Sequence, residues 1–154
     1  MEDLFEKIKP KASLNSAFEV YVDGASSGNP GPAGIGGIIY RGKSVISNFS
    51  EFIGTATNNV AEYTSLLFAL EQLVKLKAKK VIINTDSQLL ANQIKKKFKV
   101  KNQTLKNLHQ KALKYLSFFD EVRINNIPRD KNHGADRLAV NAVKGQVKMA
   151  TRHL

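Results

Sequence analysis

The stretch that decides the fold runs from Phe18 to Pro32 and reads FEVYVDGASSGNPGP. Its first residues alternate, so that Phe18, Val20 and Val22 share one face of a β-strand. The alternation ends on Asp23, which is followed by residues typical of turns. This pattern predicts a central, buried strand with an acidic side chain at its carboxyl end.

The rest of the chain shows further strand and helix patterns. Further strands are predicted near residues 34–40, 44–53, 79–86 and 121–127, and helices near residues 60–77, 87–98, 104–118 and 132–147. The order β-β-β-α-β-α-α-β-α predicts an α/β fold with a five-stranded mixed sheet and helices on both faces. We expect one domain over residues 18–146, an N-terminal extension over 1–17 and a basic C-terminal tail over 147–154.

The composition narrows the classes of function. The 154 residues include 24 Lys and Arg against 13 Asp and Glu, a formal net charge of +11. This excess favours polyanionic partners, nucleic acid first and an anionic membrane second, although a basic surface that only aids solubility is the simpler alternative. The chain has no cysteine, which excludes disulfides and thiolate metal sites, and it shows neither a signal peptide nor a long apolar run. We expect a cytoplasmic protein that does not bind a membrane.

Four acidic residues are predicted at one edge of the sheet. Asp23 and Asp86 end strands, while Glu62 and Asp136 lie in the first turns of helices, and Glu62 falls on the apolar stripe of its helix. Each alone is explained by a turn, a helix cap or the helix dipole. Together they repel one another by about 3–4 kcal/mol per pair, so protons or cations must neutralise them. Oxygen ligands of this kind favour Mg²⁺ or Mn²⁺, and two such ions can assist phosphodiester hydrolysis.

Four segments carry a resemblance to a known family. They are YVDGASSGNPGP at 21–32, TNNVAE at 57–62, NTDSQ at 84–88 and RDKNHGADRLA at 129–139. In this order, and spread over roughly residues 18 to 143, they resemble type 1 ribonuclease H. The resemblance implies the ribonuclease H-like fold and an endonuclease that cuts the RNA strand of an RNA–DNA hybrid with two metal ions, leaving 5′-phosphate and 3′-hydroxyl ends.

The resemblance also implies roles for individual residues. The metal ligands and catalytic residues are then Asp23, Glu62, Asp86 and Asp136, with Asp23 bridging two Mg²⁺ or Mn²⁺ ions. Contacts to the hybrid are expected from Gly24, Ala25, Ser26, Asn29, Thr57, Asn58, Asn59 and Gln88. The amides suit the ribose 2′-hydroxyl, because they both donate and accept hydrogen bonds. Double-stranded RNA is a further candidate substrate, and a monomer is the default assembly.

The chain departs from the family pattern in two places. The basic protrusion of better-studied members is absent or reduced, and the lysine run at 95–101 is either part of the grip on the hybrid or a solvated helix end. His133 does not match the family's mobile histidine, and we treat it, with Asn132, as a candidate auxiliary residue. A DNA-cutting nuclease of the same fold and a nucleic-acid-binding module without catalysis are the alternative functions.

Overall fold

The computed structural model describes the backbone of residues 17–152 and the side chains of residues 17–146. The predicted N-terminal extension therefore lies outside the described residues, apart from Ala17. The strands are β1 (Phe18–Ser26), β2 (Gly31–Arg41), β3 (Ser44–Ala56), β4 (Lys80–Thr85) and β5 (Glu121–Asn126). The helices are α1 (Asn58–Lys75), α2 (Gln88–Ile94), α3 (Gln103–Leu116) and α4 (His133–Arg152), with a 3₁₀ turn at Arg129–Lys131.

The five strands form one mixed sheet, as predicted. Their order across the sheet is β3-β2-β1-β4-β5, so β1 is central. It pairs antiparallel with β2 and parallel with β4, and β4 pairs parallel with β5. The parallel pairing of β1 with β4 ends at Val22 and Thr85, and beyond this point the two strands separate.

Helices cover both faces of the sheet, which confirms that prediction. On one face, Val20 and Val22 of β1 join Leu66, Leu70 and Leu73 of α1 in the main apolar core, all at 1% exposure or less. Burying each of these side chains contributes about 1.5–3 kcal/mol.

On the other face, α4 lies directly on β2, because two glycines leave space for its backbone. A Cβ atom on Gly36 would lie 2.4 Å from the Ala135 carbonyl oxygen, and one on Gly34 would lie 2.5 Å from the Ala139 carbonyl oxygen. Both glycines therefore set how closely the helix that carries Asp136 approaches the sheet.

Several element ends differ from the predictions. Gly24–Ser26 extend β1 instead of starting a turn, because they pair with Ile35, Gly34 and Ala33 of β2. Helix α2 ends at Ile94, four residues before the predicted end, since Lys96 adopts a left-handed backbone conformation with φ of 63°. Helix α4 continues to Arg152, so the predicted tail at 147–154 begins inside the helix.

The strand β3 lies at an edge of the sheet. Three of its large apolar side chains are exposed, with Val45 at 55%, Ile46 at 43% and Phe52 at 39%. Between residues 17 and 152, the helices are all too short or too polar to cross a membrane.

Candidate active site

Two of the four predicted acids meet where β1 and β4 separate. Asp23 follows Val22 and Asp86 follows Thr85, the last parallel pair of the two strands. The carboxyl ends of parallel strands face the same edge of a sheet, so these side chains come together there. Ser87, and not Asp86, caps helix α2, because its hydroxyl oxygen accepts a hydrogen bond from the Leu90 backbone N–H at 3.1 Å. The Asp86 carboxylate is thus not used as a helix cap.

Glu62 reaches this pair because Gly24 has no side chain. A Cβ atom on Gly24 would lie 2.3 Å from the Ala61 carbonyl carbon and 2.5 Å from the Glu62 backbone nitrogen. The first turn of α1 therefore packs directly on the end of β1. This contact brings the Glu62 carboxylate from the helix to the strand.

Three carboxylates form a tight, largely buried group. One oxygen from each of Asp23, Glu62 and Asp86 lies within 4.8 Å of the others. Asp23 is 4% exposed and Glu62 is 6% exposed, while Asp86 is half-buried. Glu62 Oε2 is buried and finds no hydrogen-bond donor among the described residues. A buried acceptor without a donor, next to two further carboxylates, fits a divalent cation.

Asp136 borders this group from α4. It is half-buried and its carboxyl group is within hydrogen-bond reach of Asp23, although it does not belong to the set of three mutually close carboxylates. The structure thus brings all four predicted acids to one edge, with Asp23 as the common neighbour.

The crowding changes the proton affinity of the acids. Burial, followed by the negative charge of Asp86, raises the pKa of Asp23 from 3.8 to about 7. Burial, followed by the charge of Asp23, raises the pKa of Glu62 well above its ordinary value. In the absence of cations the group therefore retains protons near neutral pH.

Asn132 fixes the position of Asp86. Its side-chain nitrogen donates hydrogen bonds to the Val22 carbonyl oxygen at 3.0 Å and to Asp86 Oδ2 at 3.1 Å. Asn132 is 1% exposed, so these bonds are shielded from water. The side chain thus ties the separated ends of β1 and β4 together at the acids.

The polar residues expected to contact a hybrid lie near the starts of α1 and α2 and in the loop after β1. Asn58, Asn59 and Gln88 are exposed in the first turns of α1 and α2, the helices that start beside Glu62 and Asp86. Asn29 is exposed, and its Oδ1 accepts a hydrogen bond from the Asn58 backbone N–H at 2.9 Å. Thr57 caps α1 by accepting from the Val60 backbone N–H at 3.2 Å.

The other residues of this set differ in accessibility. Ala25 and Ser26 are half-buried in β1, and the Ser26 hydroxyl donates to the Ala56 carbonyl oxygen at 2.9 Å. Gly24 is buried against α1, so its lack of a side chain serves packing. His133 is exposed at the start of α4.

One supporting residue carried no role in the sequence interpretation. Asn84 is 3% exposed in β4; it donates to Glu19 Oε2 at 3.1 Å and accepts from the Asn125 side-chain nitrogen at 3.0 Å. It thereby links β1, β4 and β5 on the face that carries Asp23. An amide directly after the apolar run Val81–Ile83 is the signal in the sequence that indicates such a buried polar contact.

Comparison with known proteins agrees with this arrangement. A family described as "Reverse transcriptase-like" matches residues 21–142. The bifunctional protein Rv2228c of Mycobacterium tuberculosis is 38% identical over 133 residues, which cover 85% of this chain and 36% of that protein. Ribonuclease HI of Halobacterium salinarum is 36% identical over 124 residues, covering 80% of this chain and 62% of that protein. The chain thus spans about a third of the length of the first of these curated relatives.

Solved structures show the same likeness in three dimensions. The N-terminal RNase H domain of Rv2228c from Mycobacterium tuberculosis, solved as a fusion with maltose-binding protein, has a TM-score of 0.81 at 38% identity, covering 82% of this chain and 98% of that chain. LC11-RNase H1 in complex with an RNA/DNA hybrid has a TM-score of 0.80 at 35% identity, covering 84% of this chain and 99% of that chain. With the sheet order, the carboxylate group and these likenesses in agreement, the chain belongs to the type 1 ribonuclease H family.

Proposed function

We propose that this chain is a metal-dependent endonuclease that hydrolyses the RNA strand of RNA–DNA hybrids and leaves 5′-phosphate and 3′-hydroxyl ends. One observation carries the proposal: three carboxylates with oxygens within 4.8 Å of one another lie where β1 and β4 separate, and exposed amides lie in the first turns of the adjoining helices α1 and α2. LC11-RNase H1, which this chain resembles over most of its length, was solved with an RNA/DNA hybrid.

Asp23, Glu62 and Asp86 are the residues that would hold the metal, and Asp136 borders the same site from α4. Their hard oxygen donors suit two Mg²⁺ or Mn²⁺ ions. Such ions, when bound, lower the pKa of a water molecule and stabilise the oxygen that leaves phosphorus.

The residues of the chain position these groups. Asn132 holds the Asp86 carboxylate through a hydrogen bond, so that this ligand keeps one orientation. The second bond of Asn132, to the Val22 carbonyl, fixes the strand that carries Asp23. Both bonds preorganise the acids before a substrate arrives.

The exposed amides select the substrate. Asn58, Asn59 and Gln88 are exposed in the first turns of α1 and α2, and their amides can both donate to and accept from a ribose 2′-hydroxyl, which DNA lacks. The Thr57 hydroxyl oxygen accepts a hydrogen bond when it caps α1, so its own O–H can still donate to a phosphate oxygen. We assign His133, exposed at the start of α4, an auxiliary role beside Asp136.

The test is a substrate panel with purified protein. Hybrid, double-stranded RNA and duplex DNA are each incubated with Mg²⁺ and with Mn²⁺ at low salt. We expect cleavage of the RNA in the hybrid. Cleavage of duplex DNA alone would support a DNA-cutting nuclease of the same fold, and hybrid binding without cleavage would support a binding module.

Variants of the acids complete this test. We expect Asp23→Asn and Asp86→Asn each to lower the cleavage rate by about a thousandfold or more, because removing a ligand costs several kcal/mol of transition-state stabilisation. Asp120→Asn, an exposed aspartate before β5, is the matched control and should keep the full rate. Circular dichroism verifies that each variant is folded, and an active Asp86→Asn enzyme would contradict the assignment.

A further inference from the structure

A cavity lies on the sheet beside the start of α4. Its floor consists of two neighbouring residue pairs of β1 and β2. In the first pair, Tyr21 of β1 lies opposite Ile38 of β2, and in the second pair Glu19 lies opposite Tyr40. Residues two positions apart in a strand share a face, so these four side chains point to the same side of the sheet. Helix α4 begins beside this floor, at His133, and leaves the space above it open.

The cavity has the size of a small-molecule site. Its volume is about 430 Å³, and sites for small molecules commonly occupy about 300–1,000 Å³. Its walls come from the turn between β2 and β3, from the 3₁₀ turn and from the start of α4. The residues of these walls are Gly42, Lys43, Lys131, Asn132, Gly134 and Ala135.

Two tyrosines make the floor aromatic. The rings of Tyr21 and Tyr40 meet edge to face, with their centroids 5.9 Å apart and their planes at 84°. Within residues 17–146 neither hydroxyl group makes a hydrogen bond, so both are available to a ligand. A planar aromatic ring suits this floor, because aromatic rings pack favourably on the faces and edges of tyrosine.

Two hydrogen-bond acceptors border the cavity. Glu19 Oε2 accepts from the Asn84 side-chain nitrogen at 3.1 Å, and a carboxylate has room for further donors. Asn132 lines the cavity, and its buried Oδ1 has no donor among the described residues. These acceptors favour a ligand that donates hydrogen bonds. Guanine fits the Glu19 carboxylate best among the four RNA bases, because its ring N–H and its amino group donate side by side.

Lys43 and Lys131 add positive charge to the same cavity. Both are exposed, and neither has a carboxylate at ion-pair distance within residues 17–146. The two ammonium groups outnumber the single carboxylate of the lining, that of Glu19, so the cavity attracts an anion. Phosphate is an anion that lysine commonly binds in proteins. The cavity thus offers groups for both the base and the phosphate of a nucleotide.

We propose that this cavity binds a free guanosine nucleotide, with the base on the two tyrosines and at Glu19 and the phosphate at Lys43 and Lys131. None of the four acids of the candidate active site lines the cavity. Asn132 is the wall between the two sites, because its side-chain nitrogen also bonds Asp86 Oδ2. Binding in the cavity therefore needs no metal ion and does not depend on the proposed function.

The first experiment is calorimetric titration with GMP, AMP, CMP and UMP. Chelator is present, so that no nucleotide binds through a metal ion. We expect GMP to bind with a dissociation constant below about 1 mM and about tenfold more tightly than the other three nucleotides. Glu19→Gln retains an acceptor for Asn84 but lacks the carboxylate, and it should reduce this preference to about threefold or less. Equal affinity of the native chain for all four nucleotides, or no binding of GMP, would overturn the proposal.

The second experiment compares GMP with guanosine, which lacks the phosphate. We expect Lys43→Gln with Lys131→Gln to weaken GMP about tenfold and guanosine less than about twofold, because only GMP carries the anion. The matched control, Lys111→Gln with Lys114→Gln on exposed positions of α3, removes the same charge and should leave both affinities unchanged. Equal losses of GMP affinity in the two pairs would contradict a phosphate contact in the cavity. Circular dichroism verifies that every variant is folded.

Two further arms test other occupants of the cavity. A short single-stranded RNA that ends in guanosine offers the same base, and tighter binding of this RNA than of GMP through Glu19 would overturn the proposal of a free nucleotide. A chain that starts at Ala17 should bind GMP as the full chain does. Binding only by the shortened chain would mean that residues 1–16 fill the cavity, which also overturns the proposal.

This inference and the proposed function fail in different ways. A protein that cuts the hybrid but does not bind GMP overturns the nucleotide site alone. A protein that binds GMP as described but cuts no nucleic acid overturns the proposed function alone.

Discussion

Asp23 is an acid that the fold buries beside three others, and its ionisation therefore opposes folding. Asp23 is 4% exposed, and its carboxyl group lies close to those of Glu62 on α1, Asp86 directly after β4 and Asp136 on α4. The sheet brings Asp23 and Asp86 together, because β1 and β4 separate directly before these two residues. Because the ionised carboxylate of Asp23 is buried, it is stabilised by a bound cation.

The stability of the metal-free protein should therefore depend on pH. The pKa of Asp23 is about 7 when folded and 3.8 ordinarily, so between these values the folded state binds more protons than the unfolded state. The free energy of unfolding then falls as pH rises from about 4 to about 7. Urea unfolding in chelator at pH 5 and pH 8 measures this loss.

The control for this prediction is Asp23→Asn, which lacks the titrating group. We expect the stability advantage of Asp23→Asn over the native chain to increase from pH 5 to pH 8, and Mg²⁺ at pH 8 to reverse it. An advantage that does not change with pH would contradict the burial of a charged group.

The sequence predicts the roles of some residues in the site but not of others. Asp23 and Asp86 are recognisable because each ends an apolar strand, and Glu62 because it interrupts an apolar stripe. The contacts of Asn132 depend on atoms 46 and 110 positions away, which no local pattern encodes.

At the scale of elements, the contact of α1 with β1 at Gly24 decides whether Glu62 joins the acids. We expect Gly24→Ala to lower the free energy of unfolding by about 2 kcal/mol, because its Cβ would lie 2.3 Å from the Ala61 carbonyl carbon. The helix must then move away, and the rise in unfolding temperature caused by Mg²⁺ should become smaller. Thermal unfolding with and without Mg²⁺ measures both effects.

Gly145→Ala is the matched control in α4. Apart from its chain neighbours and the backbone of its own helix, a Cβ atom there would meet no described atom within 4 Å. The change should stabilise the protein by about 0.5–1 kcal/mol, since alanine favours a helix. A Gly24→Ala protein as stable as the native chain, with the same response to Mg²⁺, would contradict the packing role of Gly24.

The elements themselves were predicted in number, order and type, while their ends depended on tertiary contacts. Lysines favour helices, so the sequence indicated that α2 continues to Phe98, whereas the chain turns at Lys96 to fold against Asn92. Gly24–Ser26 have turn chemistry, but pairing with β2 keeps them extended. Helix α4 passes Val147 because no proline follows to end it.

At the scale of the whole molecule, the buried apolar side chains among residues 17–146 run from Ala17 to Val143. Residues 1–16 carry three lysines and three acids, so their removal leaves the net charge at +11. We expect a chain that starts at Ala17 to keep its free energy of unfolding within about 0.5 kcal/mol and its hybrid affinity within twofold. Urea unfolding and anisotropy test this, and a large loss would show that the first residues belong to the domain.

The exposed edge strand β3 has a practical consequence for handling the protein. Val45, Ile46 and Phe52 offer an apolar rim at which two copies can join, and the net charge of +11 keeps copies apart. Concentrated salt shortens the reach of this repulsion from about 10 Å at 0.1 M to about 3 Å at 1 M. We therefore expect the protein to aggregate faster when it is stored in molar salt than in dilute salt, which light scattering measures. Val45→Lys should slow this aggregation. Equal scattering from the variant and the native protein would mean that the apolar rim of β3 does not cause the association.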